Sequence, residues 1–382
     1  METPMEATAR PAWVTVDLGA IEANVAALAA LAPSARMLVA VKADAYGHGA
    51  VPVGRAALAG GATHLGVSSV DEGAELRAAG IGAPIMVFSE PPPEVAAEVV
   101  ARRLSPFVYS PTGIAALADA AAAAGVRLPV HLKVDTGMNR VGCRPADALG
   151  LVQMIGDRPE LELEGIATHL ASADLEDSSV SLAQLDVFDA VLTDVTARLG
   201  FRPVTHAANS AGLVGFPRSH YDLVRIGISI YGIHSGPGSA ERVTLVPALS
   251  VRAHVSFVKD LRAGEAVSYG GRYVLERPGR VATVPVGYAD GVPRNYGLVG
   301  GEALIGGRRH PVVGIVTMDQ LMIDVGGAEV HAGDEVVLLG RQGSVEIDAH
   351  EWADRLGTIT NEVVTRIGHR LPRYYVGGRS PR

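Results

Sequence analysis

The stretch MLVAVKADAYGHGAVPVGRAALAGGATHLGVS, residues 37–68, reads as one complete strand–helix–strand unit. Its apolar, partly β-branched opening over 37–42 has the length of a buried strand, an Ala- and Leu-rich segment follows, and 63–68 forms a second strand. The same alternation continues to about residue 230, with further strand candidates at 84–88, 105–109, 130–135, 164–169, 204–209 and 224–229. Between them lie segments with helical spacing such as 91–103 and 111–125, the second ending on Gly125, a residue suited to a left-handed helix stop. Eight such units in roughly 230 residues predict a closed (β/α)8 TIM-like barrel rather than an open doubly wound sheet.

The texture changes after Ile233. HSGPGSAERV is a Gly-, Ser- and Pro-rich hinge, and the segments beyond it are short, rich in β-formers and broken by glycine pairs. The expected organisation is a barrel domain over 1–235, whose first ~15 residues pack with the C-terminal domain, and a mostly-β domain over 236–382. In the latter, 249–258, 280–286, 312–318 and 335–339 read as strands and 350–356 as one short helix.

Composition narrows the function classes. A chain of 382 residues, 48% hydrophobic, holds enough apolar material for large cores without covalent staples. A net charge of −8 and the lack of a basic tail or aromatic-and-cation patch argue against nucleic acid as a partner. The single cysteine, Cys143, excludes an internal disulfide and a cysteine-based metal cluster and reads as a small packing residue. No metal site is expected. The opening METPMEATARP has no apolar signal-peptide core, and no eighteen apolar residues run unbroken by charge, so a cytoplasmic protein without membrane association is expected.

Of 33 Lys and Arg residues only three are lysines, Lys42, Lys133 and Lys259. Where a plain cation suffices, this sequence uses guanidinium, which cannot act as an amine nucleophile. Lysine retained at position 42 therefore suggests amine chemistry, such as condensation with a carbonyl. Active sites of barrels gather at the C-terminal ends of the strands, which makes the residues there testable as a set. Lys42 ends the first strand, Lys133 and Arg140 lie at and beyond the fifth, and His169 ends the sixth. Asn209 and Ser210 end the seventh, with Arg225 and Gly227 at the eighth. Ser210 and the Gly227 and Ile228 backbone are placed to hold a phosphate, with Tyr46 as a fourth donor.

These residues carry a resemblance to the alanine racemases, pyridoxal-phosphate enzymes of fold-type III. VAVKADAYGHG resembles the family's cofactor-lysine signature, and the likeness continues in order through HLKVDTGMNRVG, THLASAD, HAANSAG, RIGISIYG, VSYGGRY, VGYADGVPR and TMDQ. VDLGAIEANV near the start and EVVTRIGHRLPR near the end extend it over nearly the whole chain. The resemblance implies pyridoxal 5'-phosphate held by Lys42 as a Schiff base, alanine as substrate, and a supply of D-alanine for peptidoglycan. It also implies two opposed bases, Lys42 for the D-alanine proton and Tyr269 for the L-alanine proton.

By the same resemblance Arg225 faces the cofactor's pyridine nitrogen and withholds a proton from it, while His169 orients Arg225. Arg140 lies beside the cofactor's phenolic oxygen and the substrate carboxylate, and Lys133 is a candidate for carbamylation, which would turn a cation into an anion able to hold Arg140. Tyr288 lines the substrate entrance, the Met318 backbone N–H contacts the substrate carboxylate, and Asp319 stands beside it. A head-to-tail homodimer with shared active sites follows. Asn361 occupies the place of a tyrosine that reaches the phosphate in many relatives, and Ile315 that of an arginine. Two other readings compete: a barrel-type pyridoxal-phosphate amino-acid decarboxylase, which shares the first-strand lysine but not GYADG or MDQ, and a non-catalytic pyridoxal-phosphate-binding barrel, which has no need of the long C-terminal domain bearing Tyr269.

Overall fold

The computed structural model describes residues 10–378. Residues 1–9, the larger part of the opening read above as lacking a signal-peptide core, lie outside the described residues, as do 379–382. The chain divides into two compact units: a barrel unit built from Gly19–Ala45 and Gly49–Val246, and a β-rich unit that takes in the described residues 10–18, the short insertion Tyr46–His48, and Pro247–Gly377.

Strand β1 (Ala12–Asp17) belongs to the β-rich unit. The barrel consists of β2 (Arg36–Ala40), β3 (His64–Val67), β4 (Ile85–Val87), β5 (Ser105–Val108), β6 (Leu128–Lys133), β7 (Leu161–Ala167), β8 (Val204–His206) and β9 (Leu223–Ile226). All neighbours are parallel, and the sheet runs in the order β8-β7-β6-β5-β4-β3-β2-β9. Its two ends meet through backbone bonds from Asp222 N–H to Thr205 O at 3.0 Å and from Arg225 N–H to Ala208 O at 3.0 Å. Each of the eight expected strands is present, and the expected barrel is the observed one.

Local chemistry sets the helix ends. Ser110 accepts from Gly113 N–H, Pro111 occupies the first helical position, and Gly125 at φ 65° terminates the helix Pro111–Ala124. The expected helix over 91–103 divides into a 3-10 turn, Pro93–Val95, and a short helix, Ala96–Ala101. Inside the barrel Leu38, Met86, Phe107, Ala167 and Leu223 pack together with Phe88 and Val204 against them. Each fully buried side chain of the Leu, Met or Phe kind contributes about 1.5–3 kcal/mol. Gly66 is required there, since a Cβ would stand 2.2 Å from the Phe88 ring.

The β-rich unit is a mostly antiparallel sheet. It comprises β10 (Leu249–His254), β11 (Phe257–Leu261), β14 (Gly279–Val284), β15 (Glu302–Ile305), β16 (Arg308–Val313), β17 (Leu321–Gly326), β18 (Glu335–Gln342), β19 (Val345–Ile347) and β20 (Arg373–Val376), together with β1; β12 (Ala266–Val267) and β13 (Tyr273–Val274) form a separate pair. Strand β1 lies antiparallel to β10 and parallel to β20. The expected strand over 312–318 ends at Val313 instead. Gly314 turns the chain at φ 70°, where a Cβ would stand 2.8 Å from Val267 O, and 314–320 is loop. The expected strand over 249–258 is interrupted between β10 and β11. Helix Ala349–Leu356 is capped by Asp348 and stopped by Gly357 in the left-handed region, and it buries Trp352, whose Nε1–H donates to Leu338 O at 3.1 Å.

Candidate active site

At the C-terminal end of the barrel the predicted residues of the barrel unit converge. Lys42 stands just past β2, Lys133 is the last residue of β6, His169 lies two residues past β7, Asn209 and Ser210 follow β8, and Arg225 sits in β9. Their burial and charges determine what each can do.

Lys42 opens a segment of unusual backbone. Ala43, Asp44, Ala45 and Tyr46 have φ of 51°, 51°, 52° and 54°, so the helical turn Lys42–Gly47 is left-handed although none of these four is glycine. Left-handed turns crowd Cβ against the following carbonyl at about 1–2 kcal/mol per residue, so this turn stores several kcal/mol that other contacts must offset. Asp44 closes one end by accepting from Ala50 N–H at 2.7 Å. Glu72 holds the other, accepting from Ala43 N–H at 2.6 Å. Burial and the Arg140 guanidinium lower the Lys42 amine from its ordinary value, and Glu72 opposes them. The lowering favours the neutral amine, the form that condenses with carbonyls.

Arg225 is buried and bound on several sides. Its Nη1–H donates to His206 Nδ1 at 3.0 Å; its Nη2 reaches Thr168 O at 2.7 Å, Ala207 O at 3.1 Å and His169 Nδ1 at 3.2 Å. Burial pushes the guanidinium down to about 9, still protonated at neutral pH. Burial, with Arg225 next in importance, holds His169 and His206 well below the usual imidazole range, so both are neutral there. Because guanidinium only donates, His206 Nδ1 must accept, which leaves its proton on Nε2, facing His131 Nδ1 at 3.0 Å. His131 then carries its own proton on Nε2 and donates it to Glu164 Oε2 at 3.2 Å. The order Arg225, His206, His131, Glu164 is thus a chain of one polarity between a cation and a carboxylate. Glu164 is the extra residue of a bulge in β7, because Val130 pairs with Leu163 and His131 with Gly165. Gly165 makes room for the chain: a Cβ there would stand 2.2 Å from His131 Nδ1.

Lys133 is 5% exposed, with its Nζ 5.9 Å from the Phe107 ring centroid. Burial, then Arg225 and Arg140, depress it well below the ordinary lysine value, which favours the neutral amine. The loop after it is shaped by Asp135, which accepts from Gly137 N–H at 2.9 Å and Asn139 N–H at 3.1 Å. Arg140 follows, exposed. Gln184 ties this loop to the next by donating to Thr136 Oγ1 at 3.4 Å and His169 O at 3.0 Å and accepting from Ala171 N–H at 2.8 Å.

Ser210 Oγ accepts from Gly227 N–H at 3.0 Å and Ser229 N–H at 3.4 Å, so of the expected phosphate-holding backbone it gathers Gly227, with Ser229 added. Ser229 Oγ beside it is buried and has no hydrogen-bond partner among the described residues. Asn209 uses its side-chain oxygen to cap the following helix, accepting from Gly212 N–H at 2.8 Å. Ile228 is buried in the same turn.

The remaining predicted residues lie in the β-rich unit. Tyr46 is grouped there, its phenol pushed up to about 12 by burial and therefore a donor at neutral pH. Neighbouring Gly47 accepts from Arg373 Nη2 at 3.1 Å and abuts Val364 O, which a Cβ would approach to 2.7 Å. Asn361 lies on the same helix as Val364, Thr360–Thr365, half-buried. The GYADG and TMDQ loops are sewn together: Tyr288 N–H donates to Thr317 O at 2.9 Å and Ala289 N–H to Met318 O at 3.1 Å. Gly287 permits this, since its Cβ would stand 2.3 Å from Met318 O. Ser268, next to Tyr269, donates to Ile315 O on the same loop. Buried Asp290 anchors the assembly through Arg10 at 2.5 Å and Arg370 at 3.5 Å, and Arg370 also pairs with Asp319 at 2.7 Å. Tyr269, Tyr288 and Met318 are 69%, 41% and 53% exposed on these loops.

Two family models match this chain: the N-terminal domain of alanine racemase over residues 16–235 and its C-terminal domain over 248–375. The chain belongs to the alanine racemase family. It is 46% identical over 370 residues to the alanine racemase of Symbiobacterium thermophilum, covering 96% of this chain and 98% of that protein. The crystal structure of alanine racemase from Streptomyces lavendulae superposes with a TM-score of 0.91 at 39% identity, covering 97% of this chain and 98% of that one. The structure of the Bacillus anthracis alanine racemase with bound L-Ala-P matches with a TM-score of 0.90 at 36% identity over 97% and 96% of the two chains.

Within this alanine racemase fold, the sequence reading did not single out Glu72, Asp44, His131, Glu164, His206 or Gln184. His131 and His206 each stand at the first position of a quoted motif, HLKVDTG and HAANSAG, but their pairing depends on the barrel's closure and a bulge that the sequence does not announce. Among the described residues, no helix is long and apolar enough to cross a membrane, and no group of three or more His, Cys, Asp and Glu is placed to hold a metal ion.

Proposed function

We propose that the protein is a pyridoxal-phosphate-dependent alanine racemase that interconverts L- and D-alanine by a two-base mechanism. The observation that carries this is the pairing of a depressed, turn-held Lys42 with a buried guanidinium, Arg225, at the C-terminal mouth of a barrel whose chain matches the racemase family throughout. The residues fit the cofactor: Ser210 Oγ gathers the Gly227 and Ser229 N–H groups at one point beside the unpartnered Ser229 hydroxyl, donors that would turn to a phosphate placed there. When bound, pyridoxal phosphate supplies an electron sink that acidifies the Cα–H of an attached amino acid.

The chain's own residues do the rest. Lys42 removes or returns the Cα proton on one face, and Tyr269 does so on the other. Arg225, engaged by His206 and His169, would face the pyridine nitrogen as a donor that keeps its proton. Arg140 binds the substrate carboxylate together with the Met318 N–H, while Tyr288 and Asp319 line the entrance. Tyr46, Asn209, Ser210, Gly227 and Ile228 hold the phosphate end. Two chains act together, head to tail, as a cytoplasmic homodimer in which each barrel is completed by the partner's β-rich domain. The exposure of Tyr269, Tyr288 and Met318 in the single chain supports this. The product, D-alanine, serves peptidoglycan synthesis.

The test is to incubate the protein and pyridoxal phosphate with L-alanine, lysine, ornithine, arginine and diaminopimelate in turn. Loss of optical rotation with alanine and no carbon dioxide from any substrate is the expected result; carbon dioxide release would identify a decarboxylase. Lys133 yields a second expectation. Its buried, depressed amine faces two arginines, the setting in which adding carbon dioxide creates an anion both can pair with. Protein equilibrated with 13C-bicarbonate should show one carbamate carbon resonance that Lys133→Arg removes; its absence in the wild type would refute the modification.

A further inference from the structure

The left-handed turn that begins at Lys42 needs an external hold, because four successive non-glycine residues at φ near 50° are not self-supporting. At its start that hold is one side chain. Glu72 Oε1 accepts from Ala43 N–H at 2.6 Å, while its Oε2 accepts from Ser68 N–H at 2.6 Å and Ser69 N–H at 3.3 Å. Its own N–H donates to Ser69 Oγ at 3.3 Å, completing a capping box at the start of helix Val70–Ala78. One carboxylate therefore ties the end of β3, the start of that helix and the Lys42 turn. An ordinary capping glutamate bonds only the cap's own backbone. Here the second oxygen is given to a residue 29 positions away.

We propose that Glu72 is a positioning residue for Lys42: it fastens the left-handed turn and supplies the negative charge that balances Arg140 across the amine. The proposal rests on Lys42 being the working amine. The charged and titratable groups around that amine are Arg140 from the loop after β6, Glu72 from helix Val70–Ala78 and His169 after β7. His169 is neutral, so the amine's basicity is set between one cation and one carboxylate, against burial. Without Glu72, burial and Arg140 act unopposed and the amine titrates at lower pH.

The scarcity of lysine makes this measurable. Full-length protein labelled with 13Cε-lysine carries three lysine signals, for Lys42, Lys133 and Lys259, and Lys42→Ala identifies the first. The Lys42 titration is followed in wild type, Glu72→Gln, Glu72→Asp and Ser69→Ala, each freed of bound small molecules and then reloaded with pyridoxal phosphate. Glu72→Gln keeps one acceptor oxygen, removes the charge and gives up one of the two carboxylate holds, so the Lys42 midpoint should fall while the Lys259 signal stays in place. Glu72→Asp, which keeps the charge, should recover most of the shift. Ser69→Ala breaks the cap alone and should leave the Lys42 midpoint at its wild-type position. A Glu72→Gln midpoint that is unchanged or raised, or an equal fall in Ser69→Ala, overturns the proposal. Failure of the reading of Lys42 itself looks different: reloaded wild type would then leave the Lys42 signal unmoved by pyridoxal phosphate.

Discussion

Lys42→Ala should abolish alanine racemisation and leave pyridoxal phosphate without a covalent hold. The lost general base alone accounts for roughly a 10²–10⁴-fold fall, and loss of the attachment adds to it. Folding should survive, since Lys42 is only partly buried and the turn it opens is held by Glu72 through Ala43 N–H and by Asp44 through Ala50 N–H, not by the lysine side chain. The check is borohydride reduction followed by peptide mapping, beside a coupled D-alanine assay. Wild type should yield one reduced adduct on Lys42, and Lys42→Ala none. With three lysines in the chain the map has few alternatives. An adduct on Lys133 or Lys259, or activity retained in the variant, would move the site elsewhere.

The architecture was legible because strand and helix periods differ and because the strands of a closed barrel are buried on both faces. Segments such as Leu38–Val41 read as continuous apolar runs, and all eight of them proved to be strands. In the β-rich unit the strands are shorter, and glycine conformation rather than apolar pattern decides where they stop. Gly314 ended β16 inside a run, VVGIV, that sequence alone continues. The site residues divide in the same way. Lys42, Lys133 and Arg225 were visible as residue types at strand ends, whereas the groups that set their charge were not. Glu72 passed unremarked; in the structure it is a capping glutamate, and its second bond to Ala43 depends on a left-handed turn that no residue preference foretells. Glu164 is aimed by a bulge, and His131 and His206 pair only because Gly165 leaves the space. Residue chemistry is local in sequence, but its tuning comes from contacts between distant strands.

Tyr269→Phe should separate the two faces of the reaction. The tyrosine is 69% exposed on its loop, so removing one hydroxyl should change stability by no more than about 0.5 kcal/mol, and any loss is chemical. If Lys42 serves the D-alanine proton and Tyr269 the L-alanine proton, the variant keeps one base and loses the other. With D-alanine in deuterated solvent, Lys42 still removes the Cα proton and returns a deuteron to the same face. Proton NMR should therefore show the D-alanine Hα signal washing out while the alanine stays D. With L-alanine both exchange and racemisation should fall by roughly 10²–10⁴-fold, the usual weight of a general base. A single base serving both faces predicts a different pattern, because exchange and racemisation would then change in step from either enantiomer. Equal loss of exchange from D- and L-alanine, or racemisation at the wild-type rate, would exclude Tyr269 as the second base. Exchange confined to D-alanine would fix the roles of the two residues, since only a base on the opposite face of the carbon can account for that asymmetry.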